Sequence, residues 1–131
     1  MTSVIIIGHG GYGTAIKRNL DMLVGHQEGF FFIDFNEKDD TETIREKLAY
    51  TLHGLGDSIL FACDLAGGTP FREAAVLCTE HRTYAAVAGL NTAAYAEIVF
   101  NLDMDAHQLS EMAAEAARQS ILVFHGSVES S

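Results

Sequence analysis

Apolar runs and helical patterns alternate along this chain from end to end. Val4 to Gly8 is a continuous apolar run ending in glycine, the pattern of a strand buried on both faces. A helix is predicted from about Gly13 to Leu23, because Ile16, Leu20 and Leu23 fall at helical spacing. Gly29 to Phe35 reads as the second strand. Asp39 or Asp40 can cap the next helix, whose Ile44, Leu48, Leu52 and Leu55 share one face. The third strand is Ser58 to Cys63, closed by Asp64. Pro70, the only proline, suits the first turn of a helix carrying Ala74, Ala75, Leu77 and Cys78. Thr83 to Ala88 reads as a fourth strand, followed by a helix over Thr92 to Leu102. Leu109, Met112, Ala113 and Ala116 line one face of a helix from about Asp105 to Ser120. Ile121 to Phe124 is expected as a short last strand, and Val128 to Ser131 as a frayed tail.

This order predicts an α/β fold: an open, mostly parallel, doubly wound sheet of four parallel strands. Helices cover both faces, and the short C-terminal strand is expected to run antiparallel. The domain is placed at residues 1–126 and the tail at 127–131. The length of 131 residues allows one real core, and 48% hydrophobic with 20% charged residues is an ordinary globular balance. No apolar run approaches the roughly 20 residues of a membrane span. The start, Met1-Thr2-Ser3 followed by Val4, lacks the basic flank of a signal peptide. Cys63 and Cys78 make no metal-type pattern and read as reduced, buried thiols, so a cytoplasmic location is expected. A formal charge of −10 argues against general nucleic-acid binding. It suits a basic protein partner, or serves solubility alone.

Sheets of this kind place their chemistry beyond the carboxyl ends of the strands. There the first loop, Gly8-His9-Gly10-Gly11-Tyr12-Gly13, satisfies G-x-G-x-x-G. Asp34 ends the second strand about 20 residues on, where a ribose-binding acid would stand. A dinucleotide-binding regulatory domain using Gly8, Gly10, Gly13 and Asp34 is therefore one reading. In the other, His9 is the point of the loop, an imidazole flanked by glycines and open to a phosphoryl group.

The second loop separates the two readings. Asp64 ends the strand expected beside the first, where a carboxylate can hold one imidazole nitrogen and stabilise the charged ring. Gly67, Gly68 and Thr69 then precede the helix at Pro70, a glycine-rich helix start suited to an anion. Nucleophile, orienting acid and anion cradle converge on one crevice. The dinucleotide reading leaves this loop without a task.

Ile7-Gly8-His9-Gly10 and Asp64-Leu65-Ala66-Gly67-Gly68-Thr69-Pro70-Phe71, in this order and spacing, resemble the IIA component of the mannose-type sugar phosphotransferase system. The likeness runs through about His125. It implies that His9 is phosphorylated on Nε2 by the phosphocarrier HPr and donates to a IIB component, while Asp64 holds Nδ1. Gly10, Gly67, Gly68 and Thr69 are taken as the phosphoryl-binding residues, and no metal or cofactor is expected. The resemblance also implies a homodimer whose C-terminal strand pairs with the partner's sheet, together with functional association with membrane IIC and IID components. Gly13 and Ala15 stand where alanine and glycine are common in the family, and Arg72 where asparagine is common. Asn91-Thr92-Ala93-Ala94 lacks the usual proline and methionine, and with Phe71-Arg72 resembles the N-acetylgalactosamine branch. A phosphotransfer subunit of dihydroxyacetone kinase is a further alternative within the same broad family.

Blander roles compete at several positions. Thr69 can cap the helix that Pro70 opens. Asp34 is assigned a structural role, and Arg72 either contacts phosphate or a partner's acid or simply meets solvent. Tyr12 and Phe71 form an apolar rim or pack inward. His26, His53 and His81 fall near helix C-termini, and no spacing among the six histidines suggests a metal site.

Overall fold

A computed structural model of the chain describes residues 1–127. Nine elements follow one another: β1 (Ser3–His9), α1 (Tyr12–Val24), β2 (Phe30–Phe35), α2 (Thr41–Leu52), β3 (Ile59–Cys63), α3 (Thr69–Glu80), β4 (Tyr84–Ala88), α4 (Thr92–Ile98) and α5 (Ala106–Ser120). The four strands are all parallel, in the order β2-β1-β3-β4. The order reverses between β1 and β3, which is where a doubly wound sheet opens its crevice. The register pairs Ile7 with Ile33 on one side and with Cys63 on the other.

The continuous apolar runs are explained by burial on both faces. Val4, Ile6, Leu60 and Ala62 point into a core filled by Leu20 of α1, Tyr95 and Ile98 of α4, and Leu109 and Ala113 of α5. The alternate residues Ile5, Ile7, Phe61 and Cys63 meet Ile44 and Leu48 of α2 and Ala74 of α3. Period-two alternation thus divides one apolar run between two helix layers.

Three helix starts follow the capping rule. Asp40, Asn91 and Asp105 each accept a hydrogen bond from the backbone N–H three residues on, closing α2, α4 and α5. Asp40 rather than Asp39 is the cap of α2. Asp39 instead accepts from Asn36 N–H at 2.8 Å and pairs with Lys47 at 2.6 Å. The fourth helix is shorter than its apolar pattern, ending at Ile98 rather than Leu102, although Val99 and Leu102 remain buried.

The expected C-terminal strand is a correction. Residues 121–127 carry no strand, and Ile121, Leu122, Val123 and Phe124 lie 71%, 88%, 69% and 91% exposed. Strand propensity is not enough, because an extended segment needs a neighbouring edge for its N–H and C=O groups, and none among the described residues accepts this one. The tail expected over Val128–Ser131 lies outside the described residues. Among those residues no helix is long and apolar enough to cross a membrane.

Gly13 sits where α1 crosses β2, and a Cβ there would lie 2.7 Å from the Ile33 carbonyl oxygen and 2.9 Å from Asp34 Oδ1. Gly13→Ala is expected to force α1 off the sheet and cost roughly 1–3 kcal/mol in urea unfolding. Gly56→Ala, whose Cβ would meet nothing within 4 Å, should stay within about 0.5 kcal/mol of wild type.

Candidate functional site

His9 is the last residue of β1, and Asp64 follows directly on β3. The two strands are neighbours, so the chain's reversal of strand order places the imidazole beside the carboxylate. Asp64 Oδ2 accepts two hydrogen bonds from the same residue, one from His9 N–H at 2.9 Å and one at ring Nδ1 at 2.8 Å. Oδ1 accepts from Leu65 N–H at 2.9 Å. Burial alone would push this carboxyl up. The bonds from the His9 backbone and ring, and from Leu65, outweigh it and hold Asp64 below its ordinary value.

An ionised carboxylate accepts only, so the ring proton belongs on Nδ1 and Nε2 keeps its lone pair. The ring packs edge-on against Phe35, with centroids 5.5 Å apart. On its other flank lies Gly68, where a Cβ would come within 2.5 Å of His9 Cε1 and 2.9 Å of Nε2. A glycine is therefore required for the second loop to lie against the nucleophilic edge of the ring.

Gly68 is also the N-cap of α3, and no side chain caps that helix. The N–H of Arg72 takes the Gly68 carbonyl at 3.1 Å as the first helical bond. Pro70 has no N–H to satisfy, so the open amides of the first turn come from the neighbouring residues. Among the described residues, α3 is the one helix whose first-turn amides meet no side chain: even α1, which starts at the uncapped Gly11, has Thr14 N–H bound by Asp34. An uncapped N-terminus beside Nε2 offers amide donors and a partial positive charge to an anion.

The candidate residues divide as follows. The structure brings His9, Asp64, Gly68 and Thr69 to one crevice, with Gly67 in the same loop. Thr69 is the first residue of α3 rather than its cap, and its Oγ1 accepts from Arg72 Nη2 at 3.4 Å. Gly10 has φ +61°, the left-handed region that glycine enters freely, and its N–H donates to Phe35 O at 2.8 Å. That amide is engaged in the turn. Asp34 has both oxygens occupied by Thr14, Oδ1 by its N–H at 2.9 Å and Oδ2 by its hydroxyl. The acid that a bound ribose would need thus closes the start of α1 instead.

Several neighbours complete the surroundings of the ring. Tyr12 packs under Gly8, where a Cβ would come within 2.6 Å of its ring and 2.8 Å of Asp64 Cγ. Its hydroxyl meets that of the fully buried Tyr95 at 2.6 Å. Burial raises both phenols, and for Tyr12 the bond from Tyr95 offsets part of the rise. Tyr12 is thus a packing residue and not a rim. Cys63, next to Asp64, is pushed up to about 12, first by burial and then by the Asp64 charge, so its thiol stays protonated and inert. Phe35 could have been suspected only from its place at the end of the second strand.

With the geometry established, known proteins give context. The family described as PTS system fructose IIA component matches residues 3–117. The chain is 32% identical over 126 residues to the PTS system mannose-specific EIIAB component of Escherichia coli (strain K12), a match covering 92% of the chain and 39% of that protein. The chain thus spans less than half of that relative's length. It is 31% identical over 101 residues to the PTS system fructose-specific EIIA component of Bacillus subtilis (strain 168), covering 76% of the chain and 69% of that protein. Phosphotransferase system component EIIA from Streptococcus agalactiae superposes with a TM-score of 0.87 at 27% identity, over 94% of this chain and 97% of the other. The mannose/sorbose specific IIA subunit from Enterococcus faecalis shares the fold, with a TM-score of 0.88 at 22% identity over 98% of each chain.

Because Asp64 is held below its ordinary value of 3.8, its share of stability is present above that pH and is lost as pH falls through the lowered value. Asp64→Asn should cost on the order of 1–2 kcal/mol near neutral pH, the low end because solvent screens one side of the pair. In urea titrations across pH, the gap to wild type should close below 3.8.

Proposed function

Since the chain belongs to the family of PTS system fructose IIA components, we propose that it is a phosphocarrier in which His9 accepts a phosphoryl group from phospho-HPr and donates it to a IIB component. The observation that carries this reading is a histidine with Nδ1 fixed by Asp64 and Nε2 facing an uncapped helix start.

The chemistry follows from that arrangement. Nε2 attacks phosphorus in line with the donor's N–P bond. As the Nε2–P bond forms, the donor bond breaks and its electron pair returns to the donor imidazole. The His9 ring gains positive character, which Asp64 stabilises while Nδ1 keeps its proton. The amides at Gly68 and Thr69 and the Thr69 hydroxyl receive the equatorial oxygens, where charge gathers in the loose transition state. Donation to IIB is the same exchange in reverse, with the acceptor nitrogen as nucleophile. The Nε2 edge is left accessible for two proteins in turn, since the His9 side chain is 43% exposed. Such docking calls for modest, short-lived interfaces.

Two further proposals belong to the same reading. The carrier works in the cytoplasm, functionally associated with membrane IIC and IID components. It is a homodimer in which the exposed segment Ile121–Phe124 pairs with the sheet of the partner, a use consistent with four consecutive apolar side chains in solvent.

Incubation with phosphoenolpyruvate, enzyme I and HPr should place an acid-labile phosphate on the wild type. His9→Ala should take none, and label that persists on that variant would sink the reading. Asp64→Ala should fold and transfer about 10²- to 10⁴-fold more slowly, as expected when the partner of a reacting imidazole is lost. Truncation after Ser120 should lower the mass measured by light scattering from dimer to monomer. An unchanged dimer would remove the segment from the interface.

A further inference from the structure

Glu73 is the one charged side chain buried among the described residues, 5% exposed, and the transfer chemistry outlined above does not use it. A buried carboxylate persists only when cations meet it. Two do. Arg45 of α2 donates its Nε–H to Oε1 at 2.7 Å, and Arg72 of α3 sets its own Nε 3.9 Å from Oε2. The far end of Arg72 reaches toward the helix start, with Nη2 3.4 Å from Thr69 Oγ1. Contacts thus run from the α2–α3 groove to the loop that lies against His9 Nε2.

The position of this arginine has an electrostatic consequence. The chain carries a formal charge of −10, and Asp64 is the charge in contact with His9. A phosphoryl group arriving on Nε2 adds more negative charge to an already negative crevice. Arg72 is the cation that touches the receiving loop. Its side chain stays 63% exposed, which leaves it within reach of a ligand. The planar fork of arginine matches the geometry of phosphoryl oxygens.

We infer that Arg72 is a further phosphoryl-contacting residue, whose guanidinium holds the oxygens of the group carried on His9, and that Glu73 is the positioning residue that aims it. The inference rests on the phosphocarrier reading and adds to it a cation and its support. Arg45 has a part as well: by neutralising Glu73 from the α2 side, it lets Glu73 orient Arg72 without quenching its charge. During transfer Arg72 neutralises the equatorial oxygens while one N–P bond breaks and the other forms, and it neither gives nor takes a proton.

The test compares wild type with Arg72→Gln, Arg72→Lys and Glu73→Gln in rapid-quench transfer from phospho-HPr, over a range of phospho-HPr concentrations. Arg72→Gln should lower the saturating rate about 10- to 100-fold. Arg72→Lys should recover part of it, because the charge returns without the fork. Glu73→Gln should lose less, and the Arg72→Gln/Glu73→Gln double variant should match Arg72→Gln alone. Phosphorus NMR of the phosphorylated protein supplies a readout that a purely structural residue would not move. The phosphoryl group should titrate at higher pH in Arg72→Gln than in wild type. A wild-type saturating rate with a raised half-saturating phospho-HPr concentration would make Arg72 a contact for an acid on the donor, and would overturn the proposal. Unchanged rates with an unchanged phosphorus titration would overturn it equally. Absence of label on wild-type His9 would instead overturn the phosphocarrier reading itself.

Discussion

One carboxylate oxygen holds this site together. Asp64 Oδ2 binds both the backbone N–H and the ring of His9, so it fixes where β1 ends and how its last side chain turns. The backbone bond is what makes the ring bond dependable, because the imidazole can swing only about a main chain that is already tied to the same atom. The sheet supplies the rest. Since β1 and β3 are parallel neighbours, both strand ends emerge at the same level, and the Asp64 N–H takes the Ile7 carbonyl at 3.2 Å before the chain leaves the ladder.

The fold spends its acidic and amide side chains unevenly, and the unevenness has chemical meaning. Asp34, Asp40, Asn91 and Asp105 occupy the first-turn amides of four helices. At α3 that place falls to Gly68, which has no side chain to offer. The same glycine is compelled by the closeness of the His9 ring. A single steric demand therefore delivers two results, a loop backbone set close beside the ring edge and a helix start free of a competing carboxylate.

Much of this was legible in the sequence, for a physical reason. Strands buried on both faces and helices with one apolar side write their periods locally, and the strand-end rule then directs attention to His9, Asp64 and the glycine loop. Chemistry that depends on distant pairs leaves no such trace. Tyr12 and Tyr95 share a hydroxyl bond across 83 positions, and Glu73 meets Arg45 across 28. No periodicity distinguishes Glu73 from a solvated helix glutamate. The segment Ile121–Phe124 shows the opposite failure. Its composition is that of a strand, but strand formation belongs to a pair, and no partner edge is supplied among the described residues. Asp34 illustrates how a motif can mislead: its spacing from the first loop fits a ribose acid, and the same spacing fits an acid that closes α1.

Gly8 and Gly10 stand two residues apart in the same loop for unrelated reasons. Gly10 is there for its backbone, at φ +61°, with open space where a Cβ would be. Gly8 is there for its volume, since the Tyr12 ring and Asp64 Cγ fill the space that a Cβ would take. Divergence therefore has a different cost at each. Asparagine or aspartate, which visit the left-handed region most readily after glycine, are open to position 10. Position 8 is closed to every residue with a side chain while Tyr12 and Asp64 both keep their places, and a smaller residue at 12 relieves only one of the two contacts. The two sites thus drift under different rules: one alone, the other held by the same acid that orients the imidazole.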